Sequence, residues 1–312
     1  MAERGQGMRL CFIVEEQYRD EVMPLAVAEE LATGGHDVDI LEPSASVTCL
    51  SQLTRYGEGS HAAYVLKTVS EGPGITLLEA AAAVGIATVN NARAIRLVRD
   101  KAVAAAFARR HDIAFPVTYF VANPELLRQI DPADYPLVVK PSNGSSCRDI
   151  YRVEDRAELD ALDLHGGGDR FFLAQPYVPN TGVDIKLYNT GQDVFAVHKR
   201  SPLHRSAAVT EQLVPVSPEL GDLAWRVGQV FGLDIYGVDV VETDHGFVVL
   251  DVNDFPSFGM VPDAARLMAE TIERIATRAA AERQRSYLQR MHLPIPAAGP
   301  TVTAADSPPR AG

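Results

Sequence analysis

Residues 232–262, GLDIYGVDVVETDHGFVVLDVNDFPSFGMVP, decide how the chain is read. An apolar run, IYGVDVV at 235–241, meets a polar, glycine-bearing segment, ETDHG at 242–246. A second apolar run, FVVLDVN at 247–253, follows it. Two runs rich in valine and aromatics around a polar turn predict a β-hairpin. Side chains alternate faces along a strand, so Asp251 and Asn253 share a face, and hairpin pairing can bring Asp239 opposite them. Three oxygen donors on one face of an otherwise valine-lined sheet call for a cation. Hard oxygen ligands suit Mg²⁺, which is held by one or two carboxylates together with substrate phosphates; Mn²⁺ accepts the same donors. Asp244 and Asp254 read as ordinary polar residues at the turn and the strand end.

Upstream, YPLVVKP at 135–141 predicts a strand ending in a lysine, followed by the small polar loop SNGSSCR at 142–148. Backbone N–H groups and hydroxyls around Gly144, Ser145 and Ser146 can close on phosphates, with Lys140 as a point charge. No GxxxxGK[ST] occurs, so this is not a Walker loop. FFLAQPYV at 171–178 is a further strand, and DIKLY at 184–188 another, with Asp184 and Lys186 on one polar face. DVFAVHKR at 193–200, continued by SPLHR, delivers a basic cluster. Lys199 and Arg200 are adjacent and point to opposite faces of a strand, so one of them enters a site. The guanidinium fork of Arg200 suits phosphate or carboxylate, and Arg205 is a second candidate. A helix at 216–231 places Trp225 in the core, and 263–290 forms an amphipathic covering helix.

The first 96 residues alternate strand and helix, which argues for a parallel α/β sheet. Strands are expected at 10–14, 36–41, 62–66 and 87–90, and helices at 22–33 and 77–84. Lys67 ends the third strand, where such sheets place ligands. A helix follows over 92–110 and carries Lys101, before a strand near PVT at 116–118.

A chain of 312 residues with 46% hydrophobic content can bury a substantial core. Its formal charge of −12 argues against nonspecific nucleic-acid binding. Three separated cysteines give neither a disulfide framework nor a zinc pattern. No signal peptide and no membrane-spanning run are visible, so a cytoplasmic protein with no membrane partner is expected.

The ordered set of Lys101, Lys140, the hinge Gln175-Pro176-Tyr177-Val178, Asp239, Asp251 and Asn253 resembles the ATP-grasp superfamily. The segment DVNDFPSF resembles two of its branches: glutamate ligases that modify ribosomal protein and related amino acids, and inositol-polyphosphate kinases. The resemblance implies an ATP-grasp fold of mixed α/β and α+β character, in three lobes with a tail. These are an α/β domain at 1–96, a lid at 97–178, a catalytic antiparallel-sheet part at 179–292 and a disordered tail at 293–312. It further implies ATP and Mg²⁺ as cofactors. Lys101, Lys140 and the 144–146 loop would contact phosphates, the main chain of residues 175–178 adenine, and Asp184 ribose. Lys186, Arg200 and Arg205 would act on the reacting groups, and Lys67, Arg200, Arg205 and Ser257 would hold substrate. The activity implied is a carboxylate–amine ligase working through an acyl phosphate on small molecules, an amino acid or a peptide; a homo-oligomer is compatible with it. The alternative is a kinase of the inositol-phosphate type.

Overall fold

The computed structural model describes residues 7–53, 60–67, 72–142, 149–164, 171–204 and 209–290. Gly144, Ser145, Ser146, Arg205 and the tail at 293–312 lie outside the described residues.

Four short strands, β1 (Arg9–Val14), β2 (Asp37–Leu41), β3 (Ala63–Lys67) and β4 (Ala87–Val89), form a parallel sheet in the order β2-β1-β3-β4. The central strands β1 and β3 are apolar on both faces because helices cover both. On one side Ile13, Tyr64 and Leu66 pack against α2 (Pro73–Ala83) and the start of α3 (Ala92–Arg99). On the other, Phe12 and Val65 join Val27 and Leu31 of α1 (Val22–Thr33) and Met268 and Ile272 of α7 (Ala264–Arg290). Asn90 fastens this sheet to the hairpin: its side chain donates to Ile235 O at 2.6 Å and accepts from the N–H groups of Asp234 and Ile235 at 2.8 Å each.

The helix expected over 92–110 is two helices. Asp100 leaves the helical region at φ −88°, ψ 100°, and its carboxylate accepts from Ala102 and Val103 N–H at the start of α4 (Lys101–Arg110). An aspartate that caps a helix start interrupts the continuous pattern, and the break makes Lys101 the first residue of a helix. The strand expected at 116–118 begins instead at Tyr119, as β5 (Tyr119–Val121). It edges an antiparallel sheet with β6 (Leu137–Pro141), β7 (Tyr151–Val153) and β8 (Phe172–Pro176), in the order β5-β8-β6-β7.

The third sheet is antiparallel: β9 (Val183–Asn189), β10 (Val194–Arg200), β11 (Gln212–Val214), β12 (Tyr236–Thr243) and β13 (Gly246–Asp254), in the order β11-β10-β9-β12-β13. Its core face, with Ile185, Leu187, Ala196, Val238, Val240, Val249 and Val252, packs on α4 and α6 (Pro218–Phe231). Trp225 is 41% exposed rather than in the core. The buried line of α6 runs Leu220, Ala224, Val227, Phe231, and Trp225 lies a hundred degrees round the helix from Ala224. Among the described residues no helix is long and apolar enough to cross a membrane.

Candidate active site

The face of the third sheet opposite its core carries the polar side chains. Register places Asp239 of β12 beside Lys186 of β9 and opposite Asp251 of β13, with Gly237 opposite Asn253. A bulge sets this up. Asp239 pairs with Asp251 but the next residue, Val240, pairs with Val249, so Leu250 is the extra residue on β13. In an unbroken strand Val249 and Asp251 would share a face. The bulge leaves Val249 in the core and turns Asp251 to the other side.

Cations crowd the two carboxylates. Lys101, first residue of α4, makes a short ion pair with Asp251. Lys186 Nζ is 3.0 Å from Asp239 Oδ1, and Asn253 Nδ2 lies 3.4 Å from Asp239 Oδ2. Lys140, reaching across from β6, donates to the carbonyl of the bulged Leu250 at 3.4 Å. Burial alone would raise the Asp251 carboxyl, but Lys101, Lys140 and Lys186 outweigh it and hold it below the ordinary carboxylate value. The first residue of α4 also donates its backbone N–H to Ser142 O at 3.3 Å, joining the helix start to the end of β6.

These groups line a cavity of about 420 Å³ between the second and third sheets, a size suited to a cofactor or small ligand. Pro176, Tyr177 and Val178 form part of its wall, and Gln175, also lining it, donates from Nε2 to Thr118 Oγ1 at 2.9 Å. Tyr177 is gripped from two sides. Its hydroxyl is 2.6 Å from His204 Nε2, and the Arg152 guanidinium stands 4.1 Å over its ring. Asp184 lines the same wall, its buried Oδ1 without a hydrogen-bond partner among the described residues. Burial pushes its carboxyl up to about 6, against a hydrogen bond from Ser201.

Of the two adjacent basic residues, Lys199 lines the cavity and Arg200 does not. Lys199 pairs with Asp184 across β9 and β10 and shares its face, whereas Arg200 pairs with Val183 and is exposed. The structure therefore brings Lys199 rather than the expected Arg200 to the cavity, because strand parity relative to Asp184 decides the face. Lys67 lines the far end, almost fully buried, donating to Phe255 O at 2.7 Å. Ser257 lines the cavity there as well.

Two features went unread in the sequence. Asp254 is not a strand-end cap: it is buried, and its Oδ1 is 2.5 Å from Nε of Arg99, the last residue of α3. Tyr18 and Glu21 also line the far end. No local pattern links Arg99 with Asp254, or Glu21 with Lys67; only the fold brings them together.

The donor set fits a hard divalent cation. Among the described residues no group of three or more His, Cys, Asp or Glu side chains gathers as a metal site. Two opposed carboxylates and an amide oxygen match an ion that completes its shell with water and substrate phosphates.

Residues 98–272 match the RimK-like ATP-grasp domain family. A protein named probable alpha-L-glutamate ligase 1 from Shewanella denitrificans is 31% identical over 214 residues, 62% of this chain and 71% of the relative. A probable alpha-L-glutamate ligase from Stutzerimonas stutzeri is 29% identical over 209 residues, 61% of this chain and 68% of the relative. Among solved structures, a RimK-domain ATP-grasp protein from Sphaerobacter thermophilus superposes with a TM-score of 0.67 at 24% identity, covering 84% of this chain and 98% of its own. A D-alanine–D-alanine ligase from Bacillus anthracis superposes with a TM-score of 0.62 at 15% identity, covering 89% of this chain and 100% of its own. The match spans α4, the lysine of β6, residues 175–178 and both strands of the acidic hairpin, and on it the chain belongs to the RimK-like ATP-grasp family.

Proposed function

We propose that the protein is an ATP-dependent carboxylate–amine ligase. The γ-phosphoryl group of ATP passes to a substrate carboxylate; an amine then attacks the acyl carbon, phosphate leaves, and an amide forms. The observation that carries this reading is the pair Asp239 and Asp251 with Asn253, set on one face among Lys101, Lys140 and Lys186.

Phosphoryl transfer asks the protein for positioning and charge neutralisation rather than for a nucleophile. Asp239, Asp251 and Asn253 would hold Mg²⁺, which supplies charge neutralisation on the phosphates. Lys101 and Lys186 are placed to leave their carboxylate partners for phosphate oxygens as nucleotide enters. Lys140 sits on the lid side of the same space. Asp184, whose Oδ1 meets no donor among the described residues, is suited to a ribose hydroxyl. Lys199 is the cation that faces the carboxylate or its phosphorylated form. The Gly144, Ser145, Ser146 loop and Arg205 remain proposed contacts to phosphate and substrate. The relatives' names point to glutamate as one substrate.

Incubation with Mg²⁺-ATP, pooled amino acids and pooled carboxylates tests the reading by mass spectrometry. Amide product with ADP and free phosphate is expected. Product that gains a phosphoryl group without free phosphate would make the protein a kinase instead.

A further inference from the structure

Tyr177 bonds to both sheets between which the cavity lies. Its backbone N–H donates to Pro136 O at 2.7 Å, just beyond the β6–β8 ladder of the second sheet. Its side chain reaches the other way, and the hydroxyl lies 2.6 Å from Nε2 of His204 in the loop after β10 of the third sheet. The Arg152 guanidinium, on β7, stands 4.1 Å over the ring, and the His204 imidazole is tilted 39° to it at a centroid distance of 5.9 Å. Among the described residues Tyr177 lines the cavity, whereas His204 and Arg152 do not. The imidazole is seated on backbone. Gly182, at φ +81°, passes so close that a Cβ there would lie 3.2 Å from both Cβ and Cγ of His204. The Ser201 N–H donates to Gly182 O at 3.1 Å and the His204 N–H to Ser201 O at 3.0 Å, which fastens the turn at 201–204 to the start of β9. The Gly182 N–H donates to Asn180 Oδ1 at 2.8 Å, and Asn180 Nδ2 donates to Val178 O at 2.8 Å. Two stretches that line the cavity, one around 176–180 and one around 199–203, thus form a hydrogen-bonded unit closed by the Tyr177–His204 contact.

We propose that His204 is a positioning residue for the nucleotide base. By holding the Tyr177 hydroxyl, it fixes the spacing of the second and third sheets where residues 176–178 wall the cavity. The inference rests on the reading of this cavity as a nucleotide site and names a residue outside the cavity that sets its shape.

Preorganisation is the physical reason. A tyrosine side chain at a cavity wall turns among rotamers, and a ligand that needs it in one of them must order it on binding. A tether made within the protein meets that cost before the nucleotide arrives. Imidazole suits the task, because Nε2 meets a hydroxyl as acceptor in one tautomer and as donor in the other. The two contacts on Tyr177 also divide the work. Arg152 belongs to the same sheet as the Tyr177 main-chain bond and restrains the ring face. His204 supplies the link across to the third sheet, so it bears on the width of the cavity as Arg152 does not.

The test is calorimetry of Mg²⁺-ADP binding to the full chain. His204→Leu keeps side-chain bulk but removes the hydrogen bond, and should weaken binding by about three- to tenfold, the range for one lost hydrogen bond or one unfixed side chain. Tyr177→Phe removes the other partner and should weaken binding by the same factor. The double variant should be no weaker than either single one, because both remove one interaction. His204→Gln places an amide where Nε2 stood and should restore wild-type affinity. Unchanged affinity in His204→Leu, or single losses that multiply in the double variant, would overturn the inference. So would a His204→Gln variant as weak as His204→Leu, since packing on Gly182 rather than the tether would then be what matters. If His204→Leu does not fold, Tyr177→Phe, which adds no bulk, decides: wild-type affinity there overturns the tether. The two claims separate cleanly. A wild type that binds no Mg²⁺-ADP overturns the nucleotide reading itself, whereas full affinity in both single variants overturns the positioning role alone.

Discussion

Asp251 sits among three lysines, and its low pKa follows from them rather than from its solvation. Asp251→Ala or Asn253→Ala is expected to abolish ATP turnover while leaving the far-ultraviolet dichroism and the unfolding transition cooperative. ATP consumed at the wild-type rate by either variant would remove both from the metal site. Lys140→Ala should weaken nucleotide binding by calorimetry, and unchanged affinity would take it out of the cavity's work. Asp184 shows the opposite electrostatics. Burial raises its carboxyl from 3.8 to about 6, so the folded state holds this proton more tightly than the unfolded state does. Its contribution is greatest below pH 3.8 and declines as pH rises to about 6. Asp184→Asn should flatten that part of the stability–pH curve by roughly 1–3 kcal/mol, since each tenfold change in proton affinity is worth about 1.4 kcal/mol. An unchanged slope in denaturant melts would contradict the assignment. Asp251 acts at lower pH: its paired charge stabilises above the ordinary carboxylate value and is lost on acidification below it.

Elements turn these residues toward one another. The hairpin was legible because valine runs, a polar turn and period-two alternation agree, and the shared face of Asp251 and Asn253 follows directly. The bulge at Leu250 was not legible, because a one-residue slip leaves no mark on composition. The same limit explains Arg200: two adjacent basic residues on a strand differ only in parity, and parity was set by pairing with β9. The Asp100 break escaped because Ala-rich helical periodicity continues on both sides of it. Packing of α6 on β12 gives a test at this scale. A Cβ at Gly228 would lie 2.3 Å from the Tyr236 hydroxyl, which donates to Ala224 O at 2.7 Å. Gly228→Ala should destabilise by about 1–3 kcal/mol through overpacking and loss of that bond, read as a lowered denaturant midpoint. Wild-type stability would show that the helix can shift without cost.

At the scale of the whole molecule, the three sheets meet around one cavity, and each supplies a different chemical quality. The antiparallel sheet of β9–β13 gives the carboxylates, β6 and the first residue of α4 give lysines that approach them, and the parallel sheet closes the far end with Lys67. Order along the chain made this arrangement readable: Lys101, Lys140, the strand end at 175–178 and the acidic hairpin follow one another in sequence and line one cavity, even where each motif alone is weak. The far end was only partly readable, since Tyr18, Glu21, Arg99 and Asp254 come from segments that meet only in the folded state.

The measurement that bears most directly on the central claim is the fate of phosphate when the purified protein is given Mg²⁺-ATP, amino acids and carboxylates. The account predicts ADP, free phosphate and an amide in equal amounts, all lost together in Asp251→Ala. Phosphate retained on an organic product, or amide formation that survives loss of Asp251, would contradict it.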